Sequence, residues 1–599
     1  MSTRSALPTA RRGGVSANVM KPTESGQKRV LKIQKKIFRS LQREAELLLG
    51  KTPNSIKKYE LENQKDFRST RRALQAIQKT ELLNSIRSSD VTLIADFHTF
   101  EQAQKTALRL AREVVQEDEL WYLGLELVPS QFQEILDEFQ QGKISTDHFH
   151  EAISYPQEWG FPWSNYAPLF DWAKQTGVRL IALNRPKLFD SQNFLEDDLH
   201  QRDLWAAGII TDLFHSDRIK KLKPRMVILY GDLHIGNSHL PKQIKQISKS
   251  FLNRSLSTVV IHQNENSLYW KLAEEGSELA TAITKLKKNT FCVFSSTPWS
   301  KLQSLVNWAE GGNAAPFNEE MDDLSLISSY GKSLAEFFKI PESNYESLST
   351  HRIEQTGFLD TLERHPEFSR EEHQLIRNLV LQNQRFYIQK LGLAFLGTSS
   401  SNGLAELAAI HLLRSRTHSE ESFTHFFRRK PEYFYNHLID GVFGFFGSLI
   451  LNPKRKCDLV LDHLQRIEAL RSGAPSTYKQ ELLARSLALD VLHSHHGGEP
   501  HLLPAISGHS IKGEIDYRKV PPLALFWATR YVGQIYGKNL YSAVVSETIS
   551  VEWVKKVFRL ERDPSVALLS SFPSSLLTFQ ALSHQLTATD WSGSKNDQL

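Results

Sequence analysis

The chain has 599 residues, 40% apolar and 23% charged, the balance of an ordinary soluble globular protein with room for two to four domains. Its two cysteines, Cys292 and Cys457, exclude a disulfide framework and any cysteine-built zinc or iron–sulfur centre, so a metal would need His, Asp, Glu or Tyr. The net charge of +6 is unevenly spread: residues 1–90 hold 20 Lys and Arg against 8 Asp and Glu, about +12, and the remainder is net acidic by about 6.

In chain order, residues 1–27 are rich in Ser, Thr, Pro, Gly and Arg and read as a disordered basic tail. They contain neither a secretory apolar run nor a cysteine to lipidate, so a cytoplasmic location is expected. Residues 28–87 read as a basic helical arm, with Val30, Ile33, Ile37, Leu41 and Leu48 near helical spacing. Such an arm could contact nucleic acid, a membrane surface or another protein, or simply pack its apolar face on the domain.

From Val91 short apolar runs alternate with helical segments. The expected strands are Val91–Phe97, Leu120–Val128, Val178–Asn184, Met226–Leu233, Thr258–His262, Ser267–Lys271 and Thr290–Ser295. Helices are expected at Glu101–Gln116, Ser130–Gln140, Ala167–Gln175 and Asp198–Ser216. This alternation predicts an α/β fold over residues 88–310, a mainly parallel sheet flanked by helices. A separate, mostly α-helical domain is expected over residues 320–585, with helices at Arg370–Leu396, Gly403–Arg414, Pro431–Leu451 and Pro475–His493, and a flexible tail at 586–599. Leu438–Leu451 is too short for a bilayer and contains Asp440, so it reads as a core helix rather than a transmembrane segment.

The chemistry concentrates at strand ends. The first strand ends Ala95-Asp96-Phe97-His98 and the fourth Gly231-Asp232-Leu233-His234, the same pattern twice. In open α/β sheets the ligand crevice lies at the carboxyl ends of the strands. Glu126 is the one charge in the apolar strand Trp121–Val128, costly there unless it is paired or binds a cation. Arg202 shares an apolar helical stripe with Leu199, Ala206, Ile209 and Leu213, so it needs an anionic partner; Asp203 orients it or faces solvent. Weaker signals are the tract LHSHHGGEPH at Leu492–His501, which reads as a loop, and Glu406 with His411, which read as packing or surface residues.

These residues, in this order, resemble the ChaN-like haem-binding uptake domain of the Tiki and erythromycin-esterase-like superfamily, over residues of about 88 to 300. Gly231–His234 matches one Gly-x-x-His motif in full; Ala95–His98 matches the other with Ala for Gly. Gly124-Leu125-Glu126 is similar to the glutamate strand, and Arg202-Asp203 to the helical motif. The resemblance implies haem or iron handling, or metal-dependent hydrolysis. His98, Glu126, His234 and Arg202 are the expected catalytic set, and His98, Glu126 and His234 would hold a divalent Fe, Mn, Co or Zn. Asp96, Asp232 and Asn184 are candidates to contact the cofactor, with Tyr166 and Tyr230 as alternative haem donors by sequence position. Three functions follow as expectations: haem or metal binding, a metal-dependent or His/Glu esterase or peptidase, and a non-catalytic scaffold using the basic arm.

Overall fold

The computed structural model describes residues 26–68, 74–116, 119–186, 198–278, 280–310, 319–340, 349–352, 368–382, 384–388, 393–396, 401–415, 431–471, 478–495 and 520–558. Residues 1–25 and 586–599 of the predicted tails, and the part of the His-rich tract beyond His495, lie outside these residues, while Gly26 and Gln27, expected in the disordered tail, begin a helix.

Eight strands form one sheet: β1 (Gln75–Ala76), β2 (Val91–Asp96), β3 (Trp121–Pro129), β4 (Arg179–Asn184), β5 (Arg225–Gly231), β6 (Thr258–Gln263), β7 (Ile283–Lys287) and β8 (Thr290–Val293). Their order is β1-β7-β8-β6-β2-β5-β3-β4. The run from β8 to β4 is parallel, while β7 and β1 close one edge antiparallel. Every residue of β2, β3 and β6 is buried, as a sheet covered on both faces requires. In register, Asp96 faces Gly231 across β2 and β5, and Leu125 faces Leu229 across β3 and β5. The carboxyl ends of β2, β5 and β3 are therefore adjacent, and the chemistry read from the sequence lands on one edge of the sheet.

Two elements depart from expectation here. Ser267–Lys271 belongs to the helix Asn266–Glu274, not to a strand. Leu268, Tyr269, Leu272 and Ala273 are buried together, a helical face that five residues are too few to distinguish from a strand. The strand β7, ITKLK, escaped notice because two lysines break its apolar run at the sheet edge.

Beyond residue 319 the chain is mainly helical but not free of strands. The expected helix Arg370–Leu396 stops at Leu381, after a capping box of Ser369 and Glu372 at its start. Two short strands follow, β10 (Phe386–Ile388) and β11 (Leu393–Leu396), and pair with β9 (Ser349–Arg352) in the order β10-β11-β9. Phe386 and Ile388 are buried and Tyr387 is half-buried, a period of two that a helix cannot present. Helices Ser401–Arg414, Pro431–Leu451 and Lys479–His495 lie where expected. Helix Pro431–Leu451 crosses helix Pro522–Val545 at Gly441 and Gly533, where a Cβ on Gly533 would come within 2.7 Å of Gly441 backbone. Leu438–Leu451 is a core helix, and among the described residues no helix is long and apolar enough to cross a membrane.

Among its described residues, the span read as a basic arm forms three helices, α1 (Gly26–Leu49), α2 (Asn54–Arg68) and α3 (Lys79–Arg87), and the short strand β1. Val30, Ile33, Ile37, Leu41 and Ala45 of α1 are buried in the helical region's core, along with Tyr269 and Trp299 of the α/β region. The apolar face of the arm is thus turned inward, and Leu48, expected on that face, is 43% exposed.

Candidate functional site

His98 follows β2 and is fixed by its neighbours. Asp96 Oδ2 lies 2.9 Å from His98 Nδ1 and accepts from Tyr166 Oη at 2.8 Å, while Gln104 Nε2 donates to Asp96 Oδ1. With Nδ1 held by a carboxylate, Nε2 is the ring atom offered to a ligand. The imidazole packs against Trp159 and Phe161, with ring centroids at 4.4 and 4.8 Å, which also pack on each other at 5.4 Å, and it keeps 23% of its side chain exposed. Burial works against the charged ring, but the Asp96 hydrogen bond and charge, with Glu126 and Asp232 behind it, raise the pKa above its ordinary 6.5.

Glu126, on β3, is 2% exposed. Arg202 Nη2 donates to its Oε1, and the Gly231 N–H donates to its Oε2 at 2.5 Å. Arg202 Nε donates to Asn184 Oδ1 at 3.2 Å, which ties the end of β4 to the same cluster. Burial pushes the Glu126 carboxyl up, but Arg202, His234, His98 and the Gly231 amide together hold it below the usual carboxylate range. Gly231 must be glycine for space: a Cβ would meet Glu126 Oε2 at 3.0 Å and His98 Nε2 at 3.4 Å.

His234 is buried, and its Nε2 lies 3.9 Å from Glu126 Oε1. Its Nδ1 is held by Asp203 Oδ1 at 2.7 Å, not by Asp232. The repeated motif is therefore not a repeated geometry. Asp96 is buried on His98, whereas Asp232 is one-third exposed and pairs with Lys301 at 2.8 Å. Asp203, expected to orient Arg202 or to face solvent, is fully buried and serves His234 instead. Its signal was in the sequence: Asp203, Ala207, Ile210 and Phe214 are spaced 4, 3 and 4 and are all buried, one position off the stripe drawn through Leu199 and Ala206. A second missed residue is Tyr59 on α2. Its hydroxyl donates to Asp203 Oδ2, and its ring stacks on His239 at 3.6 Å. Nothing in local sequence could have assigned it, because it arrives from a helix about 140 residues upstream.

The structure thus brings His98, Glu126, Arg202, His234, Asp96 and Asn184 together. Of the two tyrosines, Tyr166 spends its hydroxyl on Asp96, and Tyr230 is fully buried with its ring edge-on to His234 at 5.1 Å. Both Glu126 oxygens are already hydrogen-bonded, and among the described residues no three His, Cys, Asp or Glu side chains group so as to hold a metal ion. What remains is an Asp-held imidazole packed against two aromatic rings, with the Arg202 guanidinium paired to Glu126 in the same cluster.

Comparison with known proteins adds the family. Residues 82–192 match the family described as haem-binding uptake, Tiki superfamily, ChaN. The match takes in Asp96, His98, Glu126, Tyr166 and Asn184, and stops before Arg202 and His234. A solved structure, "Cofacial heme binding to ChaN of Campylobacter jejuni", is similar at 13% identity over 32% of this chain and 88% of that one, with a TM-score of 0.25. Likeness that low leaves the argument to the family model. No curated protein sequence matches. Residues 82–192, the first part of the α/β region, are thus similar to the ChaN family of the Tiki superfamily.

Proposed function

We propose that the strand-end site binds haem, which His98 Nε2 would hold through its iron while the Arg202 guanidinium would favour its anionic groups. The observation that carries this reading is the His98 imidazole, held at Nδ1 by Asp96, packed against the Trp159 and Phe161 rings, and partly exposed to solvent. The match to a family described as haem-binding supports it. Haem would supply a redox-active iron whose properties follow the axial ligand and the polarity around it. The chain's own residues do the rest. Asp96 orients the ring and favours the tautomer with Nε2 unprotonated. Gly231 leaves room in front of Nε2. Glu126 fixes Arg202, so that one cationic edge is presented at a set place. Purified protein should carry haem or take it up, and the double change His98→Ala, His234→Ala should abolish this. A blank visible spectrum with no uptake of added haem sinks the proposal.

A second reading, a His/Glu hydrolase on the same scaffold, is favoured by one specific observation. Both imidazoles are oriented by a carboxylate, His98 by Asp96 and His234 by Asp203, and His234 Nε2 faces Glu126. A ring so held is a competent general base, and Arg202 could stabilise a developing oxyanion. An ester and peptide substrate screen tests it; turnover that survives Glu126→Gln unchanged counts against it.

A further inference from the structure

Beside the His–Glu–Arg site lies a cavity of about 600 Å³ that the haem reading does not use. Its floor is made by the ends of β2, β5 and β6 and its roof by α1, α2 and the helix Pro298–Glu310. The size is that of a small-molecule pocket.

Two observations say what it would hold. First, the lining is unbalanced in charge: Glu46, Glu60, Asp232 and Glu265 stand against Lys57 and Lys301. Lys301 is committed to Asp232 at 2.8 Å. Burial pushes the Glu265 carboxyl up, with Lys301 opposing the shift and Asp232 adding to it. Second, amide oxygens in the walls have no partner. Gln263, 6% exposed, gives its Nε2 to Ala95 O at 2.7 Å and Ala103 O at 3.0 Å, while its Oε1 has no hydrogen-bond partner. Asn266 Oδ1 and the Nε2 of His262, which is 4% exposed, are likewise without one. Asn63 Oδ1 in the same wall is also unpartnered; buried polar atoms are normally satisfied, and the three amide oxygens of Asn63, Gln263 and Asn266 in one cavity call for an occupant that donates.

We propose that this cavity binds a small organic cation carrying primary amines, its N–H groups shared between Gln263 Oε1, Asn266 Oδ1 and the carboxylates of Glu60 and Glu265. The proposal does not rest on what occupies the His98–Glu126 cluster.

The test is calorimetric titration of the full chain with spermidine, with glucose and citrate as neutral and anionic controls at fixed ionic strength. The expected result is saturable spermidine binding, no binding of either control, and an affinity at least tenfold weaker in Glu60→Gln. Glu60 is exposed on α2, so this variant should fold, and its response to haem should equal that of the native chain. Gln263→Leu, checked for folding by circular dichroism, should weaken spermidine as well. The proposal is overturned if spermidine does not bind, if citrate or glucose binds in its place, or if Glu60→Gln and Glu265→Gln together leave the affinity unchanged.

Discussion

Glu126 in the α/β region and Glu406 in the helical region are both 2% exposed and both paired with arginine. Glu406, in helix Ser401–Arg414, meets three guanidiniums from three other segments: Arg455 at 2.5 Å, Arg530 at 2.6 Å and Arg385 at 3.6 Å. Arg455 also donates to Ser448 Oγ and lies over the Phe445 ring, and Arg530 donates to the Arg385 carbonyl. That cluster staples helices together and is closed by packing. Glu126 has one arginine, a backbone amide and two imidazoles held by other residues, and it sits where strands end and side chains stay partly accessible. A buried carboxylate therefore does not by itself mark a site. What distinguishes the two is whether the surrounding groups are spent on one another or turned toward open space.

The sharpest way to break this comparison is to remove each carboxylate's partner and read stability and binding separately. Glu406→Ala should cost the most, about 3–5 kcal/mol in denaturant unfolding, because it strands buried guanidiniums; haem binding by the folded fraction should persist. If it also abolished haem binding while leaving stability intact, the two regions would have exchanged roles. Arg202→Met should cost about 2–4 kcal/mol, because Glu126 is left unpaired, and should weaken haem at least tenfold. Gly231→Ala should cost about 1–2 kcal/mol by crowding Glu126 and His98, and should reduce binding more than its stability loss explains. Tyr59→Phe removes one donor from Asp203 and should cost about 1 kcal/mol, with His98 ligation retained.

The smallest effect concerns pH. Asp96 holds the His98 pKa above its ordinary 6.5, so the stability from this pair is present at low pH and fades as pH rises through the raised value. Ligation by Nε2 needs the neutral ring and should strengthen over that same interval. A spectroscopic pH titration of haem binding with its midpoint at or below 6.5 would contradict this assignment.

How much was legible in the sequence follows the same division. The strands β2 to β6 could be read because full burial leaves long apolar runs, and Glu126 stood out against one of them. The pairing of Arg202 with a site carboxylate followed from a charge among apolar helix positions. Asp203 was hidden by one position of helical phase, and the repeated motif drew attention to Asp232, whose partner Lys301 lies on a distant helix. Tyr59 could not be read at all, because only tertiary packing of α2 brings it to His234. In the helical region Glu406 looked like an ordinary helix charge, since its three partners come from separate segments. Its strands β10 and β11 were lost because three or four residues barely establish a period.

The most direct test of the account is a haem titration of the full chain followed in the Soret region, with His98→Ala alongside. The native chain should give a saturable, shifted band, and His98→Ala should lose it while still unfolding cooperatively. A native chain that gives no shifted band, or a variant that binds haem as the native chain does, would contradict the assignment of His98 as the axial donor.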